Sequence, residues 1–146
     1  MYTDNSILAG PDKEEIKQVI KDLHKAKLNL TEEGDLKDFL GVLMDRRKDG
    51  SIHLSQPHLI NQILKDLRLD QDDVTNKNVP ATSSKILLRH TDLEDFDNSF
   101  NYKSLIGKLN YLEKTTRSNI SYATHHCARF TSCPKKEHGQ AVRWLG

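Results

Sequence analysis

The apolar residues of this chain recur at two different spacings, and the change between the two constrains the fold more than any other feature. After Asp12, after Pro57 and beyond Phe100 they recur every three or four residues, which is the spacing of an amphipathic helix. Residues 36–55 instead contain two short strand-like segments around Asp49-Gly50, a strong turn signal that predicts a β-hairpin. The order of these segments predicts an α+β fold.

The limits of the segments can also be read from the sequence. Asp12, with Glu15 three residues later, is a plausible cap for a helix reaching about Leu28, and Pro57 opens a second helix. Residues 70–99 are acidic and rich in Ser, Thr and Asn, which indicates a flexible connection with at most one short element at 86–88. Helices are expected again from 102, over 119–131 and from about 136. This pattern predicts three regions, 1–69, 70–99 and 100–146.

Composition limits the class of protein. Only 36% of the 146 residues are hydrophobic and 29% are charged, a small supply of core that would gain from a partner surface. No apolar run of about 18 residues predicts a membrane span, and no secretory signal is visible. Two cysteines, Cys127 and Cys133, make no disulfide framework. We therefore expect an intracellular protein, cytoplasmic or nuclear, that is not secreted.

Charge is distributed unevenly along the chain. Residues 1–100 carry 14 Lys/Arg against 19 Asp/Glu, whereas residues 101–146 carry 8 against 2. A basic segment of this kind is typical of modules that bind polyanions such as nucleic acids. It is also compatible with a solvated helical face.

Clusters of metal-binding residue types do not have the spacing of metal sites. No usual zinc pattern fits the histidines and cysteines near the end of the chain, which are His125, His126, Cys127, Cys133 and His138. The acidic cluster at Asp70, Asp72 and Asp73 lacks the glycine and glutamate of an EF-hand loop. The first cluster is interpreted as part of a buried helix face and the second as a solvated turn.

Five short motifs follow one another along the chain. They are Tyr2-Thr3-Asp4-Asn5, Phe39-Leu40-Gly41, the segment 102–112, the segment 116–123 and Pro134-Lys135-Lys136-Glu137-His138. In this order and at these distances they resemble the reverse transcriptase of copia-type retrotransposon Pol polyproteins, over essentially the whole chain. The resemblance implies a remnant of the catalytic palm, a primer-grip-like hairpin, and a helical thumb and connection. Because a strand opens the chain and a helix is still running at Trp144-Leu145, we expect a fragment without upstream fingers and palm or a downstream ribonuclease H.

The resemblance also implies a catalytic role for the first motif. The family is an RNA-directed DNA polymerase whose carboxylates hold two Mg²⁺ ions, and Asp4 occupies the first carboxylate of a Tyr-x-Asp-Asp pair. Asn5 stands at the second position and offers a neutral amide. Asp4 is then the candidate metal ligand, and a single carboxylate binds Mg²⁺ only weakly. We therefore expect no stably bound magnesium and no polymerase activity from this chain alone.

Contacts with an RNA/DNA primer–template are implied for seven further residues. Glycines allow a close backbone approach, an aromatic ring packs on sugars, and basic residues neutralise phosphates. These residues are Gly41, Lys103, Gly107, Lys108, Tyr111, Lys114 and Arg117. The alternatives are structural: Gly41 in a bulge or a packed hairpin, and Gly107 in a helix–helix contact with Tyr111 in the core. The chain as a whole is then a fragment of the polymerase, a nucleic-acid-binding module without catalysis, or a decayed element without function.

Overall fold

The computed structural model describes residues 6–32, 34–70, 79–81, 87–88 and 94–146. The chain divides into two compact units, Met1–Leu36 and Lys37–Gly146. Within the described residues there are five α-helices and one three-stranded antiparallel sheet. The predicted α+β class is confirmed.

The first unit contains helix α1, Lys13–Lys25. Its start agrees with the prediction, since the Asp12 carboxylate accepts a hydrogen bond of 2.8 Å from the Glu14 N–H. The helix ends before the predicted Leu28 because Lys27 adopts φ 61° and the Leu28 N–H bonds back to the Leu23 carbonyl. None of the residues of α1 is buried.

The second unit opens with the sheet, whose strands are β1 (Asp38–Phe39), β2 (Val42–Arg46) and β3 (Ile52–Ser55) in that order. The predicted hairpin around Asp49-Gly50 is confirmed, with Gly50 at φ 85° and Arg46 paired with Ile52. The segment that precedes this hairpin turn was expected to form a single strand. It is instead divided by a second tight turn.

Leu40 and Gly41 form that turn, between the paired residues Phe39 and Val42. Both turn residues have positive φ, 53° and 76°, and such two-residue turns match the twist of antiparallel strands. Gly41 adopts this conformation freely, whereas Leu40 adopts it against the steric preference of its Cβ. The leucine side chain is 64% exposed.

Four helices follow the sheet. Helix α2, Pro57–Leu67, begins at the proline as predicted and ends at Arg68, which has φ 56°. Helix α3, Tyr102–Thr115, is capped by the Asn101 side chain. The helix predicted over 119–131 is divided into a 3-10 turn, Ser118–Ile120, and helix α4, Ser121–Ala128. Helix α5 spans Lys136–Leu145.

The core of the second unit lies between helices α2 to α5. Its most deeply buried aliphatic side chains are Leu67, Leu105, Leu109 and Val142. An aromatic cluster joins it, in which the Phe96 ring lies 4.9 Å from Phe100 and 5.8 Å from Tyr102 between centroids. The Tyr102 hydroxyl donates a 2.9 Å hydrogen bond to the Cys127 carbonyl. Burial raises the pKa of the Tyr102 phenol, and it raises the pKa of the Cys127 thiol to about 11. This core holds α3 in place and leaves its opposite face exposed.

Candidate nucleic-acid interface

The exposed face of α3 brings together four of the residues singled out in the sequence. At about 100° per residue, these four lie within an arc of about 80° around the helix axis. They are Lys103, Gly107, Tyr111 and Lys114, and we call them the α3 stripe. All four are exposed, Tyr111 by 39%. The stripe therefore has a small central residue with a cation at each end and an aromatic ring beside it.

Gly107 leaves an open space in the middle of the stripe. No heavy atom in the described part of the chain lies within 4 Å of the position that a Cβ would occupy there, apart from the neighbours of the helix itself. The alternative interpretation, a helix–helix contact through this glycine with Tyr111 in the core, is therefore wrong for the described residues. The space is open to a ligand.

Tyr111 connects the α3 stripe to the hairpin. Its hydroxyl donates a hydrogen bond of 2.7 Å to the carbonyl oxygen of Leu40, 71 residues earlier. The tight turn presents this carbonyl, so the strained Leu40 and the neighbouring Gly41 lie next to the aromatic end of the stripe. Gly41 and Tyr111, identified separately in the sequence, thus belong to one surface. The bond also fixes the direction of the ring.

A buried side-chain amide also connects the hairpin to α3. Gln56, at the start of α2, is fully buried, and its Oε1 accepts hydrogen bonds from the hydroxyls of Thr115 (2.5 Å) and Thr116 (2.9 Å). This links the end of β3 to the end of α3. Gln56 was not identified from the sequence, because a glutamine before a proline gives no local signal of burial.

The basic residues near the stripe differ in how free their charges are. Lys103, Lys114 and Arg117 are exposed, and no carboxylate among the described residues lies within 4 Å of their charged groups. Lys108 lies on the side of α3 that faces α2, and its Nζ is 2.8 Å from the Asp66 carboxylate. A phosphate must therefore compete with Asp66 for Lys108, while the other three cations are available.

A buried carboxylate on α3, that of Glu113, was also not identified from the sequence. The Glu113 side chain is 5% exposed, and its Oε1 lies 3.0 Å from the Nε2 of His125 on α4. The pair keeps the negative charge of Glu113 away from the exposed face. As a result, α3 presents no acidic side chain on the α3 stripe.

The last motif of the sequence has a structural role. His138 is 1% exposed, and its Nδ1 accepts a hydrogen bond from the Lys135 N–H while its Nε2 donates to the Leu88 carbonyl. Burial lowers the pKa of this imidazole, which favours its neutral form. The ring also stacks on Phe130, with centroids 3.8 Å apart. The described residues contain no group of three or more His, Cys, Asp or Glu side chains able to hold a metal ion.

Asp4 and Asn5 lie outside the described residues. Their chemistry alone gives one carboxylate and one neutral amide. Hard divalent cations require several anionic oxygens, and the part of the chain that the structure describes supplies no such group. Asp4 and Asn5 together thus offer fewer anionic oxygens than a pair of Mg²⁺ ions requires.

Comparison with known proteins gives two informative similarities. The chain is 28% identical over 151 aligned residues to the retrovirus-related Pol polyprotein from transposon TNT 1-94 of Nicotiana tabacum, covering 99% of this chain and 11% of that protein. It is 26% identical over 145 residues to a putative transposon Ty5-1 protein of Saccharomyces cerevisiae, covering 98% of this chain and 45% of that protein. This chain thus has homologues among retrotransposon Pol polyproteins, at low identity.

The other comparisons give no match. No protein-family model matches the sequence, and no solved structure matches it significantly. Separately, no helix in the described ranges combines the length and apolar character needed to cross a membrane.

Proposed function

We propose that this chain is a segment of a copia-type retrotransposon reverse transcriptase that binds primer–template duplex and does not polymerise DNA by itself. The observation that carries the proposal is the α3 stripe, with an open glycine, unpaired lysines and a tyrosine tied to the hairpin turn. Its homology to retrotransposon Pol polyproteins and the five ordered motifs support the assignment.

In this proposal the regions of the chain have the roles that the motifs imply. Residues 1–69 are the end of the palm with a primer-grip-like hairpin, 70–99 are a connection, and 100–146 are a helical thumb and connection. The hairpin at Leu40-Gly41 and the stripe on α3 then form adjoining parts of one duplex-binding surface. The hydrogen bond between Tyr111 and Leu40 supports this arrangement, because it joins the two parts directly.

The stripe has the features that a duplex backbone requires. The open space at Gly107 admits a sugar–phosphate chain closely, and the Tyr111 ring offers a flat apolar surface for a sugar. Lys103, Lys114 and Arg117 are positioned to neutralise phosphates, and each neutralised phosphate releases counterions. Binding of this kind is insensitive to sequence and falls steeply with salt.

The proposed lack of polymerisation follows from the donor set. In-line attack on a nucleotide phosphate develops charge on the attacking and leaving oxygens, which two metal ions stabilise in polymerases. Asp4 beside Asn5 does not supply the anionic oxygens needed to hold them. The proposed activity is therefore binding without chemistry.

The binding part is tested by measuring the affinity of the full chain for an RNA–DNA hybrid at several salt concentrations. A double variant, Lys103→Gln with Lys114→Gln, removes two charges from the α3 stripe and should reduce the slope of log K against log salt by about 1.8. The matched control, Lys48→Gln with Lys65→Gln, removes the same charge from exposed positions away from the stripe. Equal slopes for the two double variants, or no salt-dependent binding by the wild type, would contradict the proposal.

The catalytic part is tested by primer extension on the same hybrid, with Mg²⁺ or Mn²⁺. We expect no extension product at protein concentrations that saturate the duplex. Robust extension that is abolished by Asp4→Asn would show that the chain is an active polymerase.

A further inference from the structure

Helix α4 exposes an aromatic ring that the duplex-binding surface does not use. Tyr122 is 77% exposed, the highest value among the large hydrophobic side chains in the described residues. One of its faces lies nearly parallel to the imidazole of His126, with an interplanar angle of 14° and centroids 5.8 Å apart. The other face is available for contact.

A basic residue shares the same face of the helix. Tyr122, His126 and Arg129 follow the spacing i, i+4, i+7, which places them on one side of a helix. Arg129 lies at the end of α4 and keeps helical backbone angles, φ −60° and ψ −21°. Its guanidinium carbon is 5.7 Å from the ring centroid of Phe130. The three side chains form a surface that we call the α4 platform.

The α4 platform rests on a rigid base. The Phe130 ring is buried, and the edge-on contact with His126 has centroids 6.5 Å apart. Phe130 stacks in turn on the buried His138, which is fixed by two hydrogen bonds. An exposed ring on such a base binds a flat ligand without first having to become ordered.

The charge around the platform favours a polyanion. Residues 114–136 contain five Lys or Arg and no Asp or Glu. Lys135 and Lys136 are paired with Asp95 and Glu94, which leaves Lys114, Arg117 and Arg129 without a carboxylate partner in the described residues. An exposed aromatic face with an unpaired cation, Arg129, on the same side of the helix is complementary to a nucleobase followed by its phosphate.

We propose that the α4 platform binds an unpaired nucleobase of a single-stranded nucleic acid, stacked on Tyr122, while Arg129 contacts an adjacent phosphate. The inference rests on the proposed function only in taking the ligand to be a nucleic acid. A duplex presents no free base face along its length, whereas a single strand does. The platform is therefore expected to take a single-stranded segment, and the α3 stripe a duplex.

The test uses the full chain and a short single-stranded oligonucleotide with one 2-aminopurine, whose fluorescence is quenched by stacking. The wild type should bind the strand and quench the probe. Tyr122→Ala should lose about tenfold in affinity and most of the quenching, whereas Tyr122→Phe, which keeps a stacking ring, should retain both. Because the side chain is largely exposed, both variants should melt like the wild type.

Several results would overturn the inference. The first is a Tyr122→Ala variant that binds the single strand with wild-type affinity. The second is a Tyr122→Ala variant that loses as much affinity for an abasic strand as for the strand with all its bases. The third is a wild type that does not bind the strand, which would leave a protein as the candidate partner for this face. The expected result for an RNA–DNA duplex, in contrast, is that Tyr122→Ala leaves its affinity unchanged. A chain that fails to bind duplex but binds single strands through Tyr122 would contradict the proposed function and support this inference, so the two failures are distinguishable.

Discussion

Replacing Gly139 by alanine places a methyl group against the aromatic cluster at the base of α5. A Cβ at this position would lie 2.5 Å from Cε2 and 2.7 Å from Cδ2 of Phe96, distances at which one of the two groups must move. Phe96 has little freedom to do so, because its ring packs against Phe100 and Tyr102. The substitution therefore forces a shift of α5 or of the cluster.

The expected cost follows from two opposing effects. Overpacking of a core costs about 1–3 kcal/mol, while replacing glycine by alanine within a helix contributes about 1 kcal/mol of stability. The net result for Gly139→Ala is a loss of about 0–2 kcal/mol, centred on about 1 kcal/mol. In urea, with an m value of about 2 kcal/mol per molar, the midpoint should fall by roughly 0.5 M, and by no more than about 1 M, at an unchanged m value.

The control is the same substitution at Gly107, which also lies within a helix but has open space where the Cβ would be. Gly107→Ala should raise the urea midpoint because only the helix preference changes. Opposite signs for the two variants would support the packing argument. A Gly139→Ala variant more stable than the wild type would refute it.

Three further outcomes are expected. Gly107→Ala should weaken binding to an RNA–DNA hybrid while raising stability, since its methyl group fills the space where we propose that the sugar–phosphate chain binds; affinity and urea melts measure the two effects. Gln56→Ala should destabilise the second unit by roughly 1–3 kcal/mol, because the Thr116 hydroxyl loses its acceptor, while the Thr115 hydroxyl keeps the Tyr111 carbonyl; thermal melts measure it. Burial lowers the pKa of His138 in the folded state below 6.5, so the unfolded chain takes up the proton more readily. The contribution of neutral His138 to the free energy of unfolding should therefore be present above pH 6.5 and decline below it. Chemical melts from pH 7.5 to 5.5 should show a smaller decline in His138→Gln.

Periodicity and caps predicted the elements whose conformation is set locally. The starts of α1 and α2 agree with Asp12 and Pro57, and the hairpin turn lies at Asp49-Gly50, because caps, prolines and turn glycines act within a few residues. The division of the preceding strand at Leu40-Gly41 could not be predicted. Leucine rarely adopts positive φ, so its presence in a tight turn is imposed by the rest of the structure.

The residues of the α3 stripe were singled out from the sequence, whereas their connection to the hairpin was not. Helical spacing alone placed Gly107 and Tyr111 on one face. Their relation to the hairpin depends on the Tyr111–Leu40 bond, which joins residues far apart in sequence. Tyr122 was noticed only as part of a motif, because the exposure of a ring cannot be read from local sequence.

The link between Tyr111 and Leu40 also has a consequence for the order of folding. Contacts between α3 and α4, such as Tyr102 with Cys127, close a loop of 25 residues, whereas the link to the hairpin closes one of 71. The longer closure costs about 0.9 kcal/mol more in chain entropy. We therefore expect the helices to associate first and the hairpin to dock last, which makes the proposed duplex-binding surface a late product of folding and the first part lost in a partial opening.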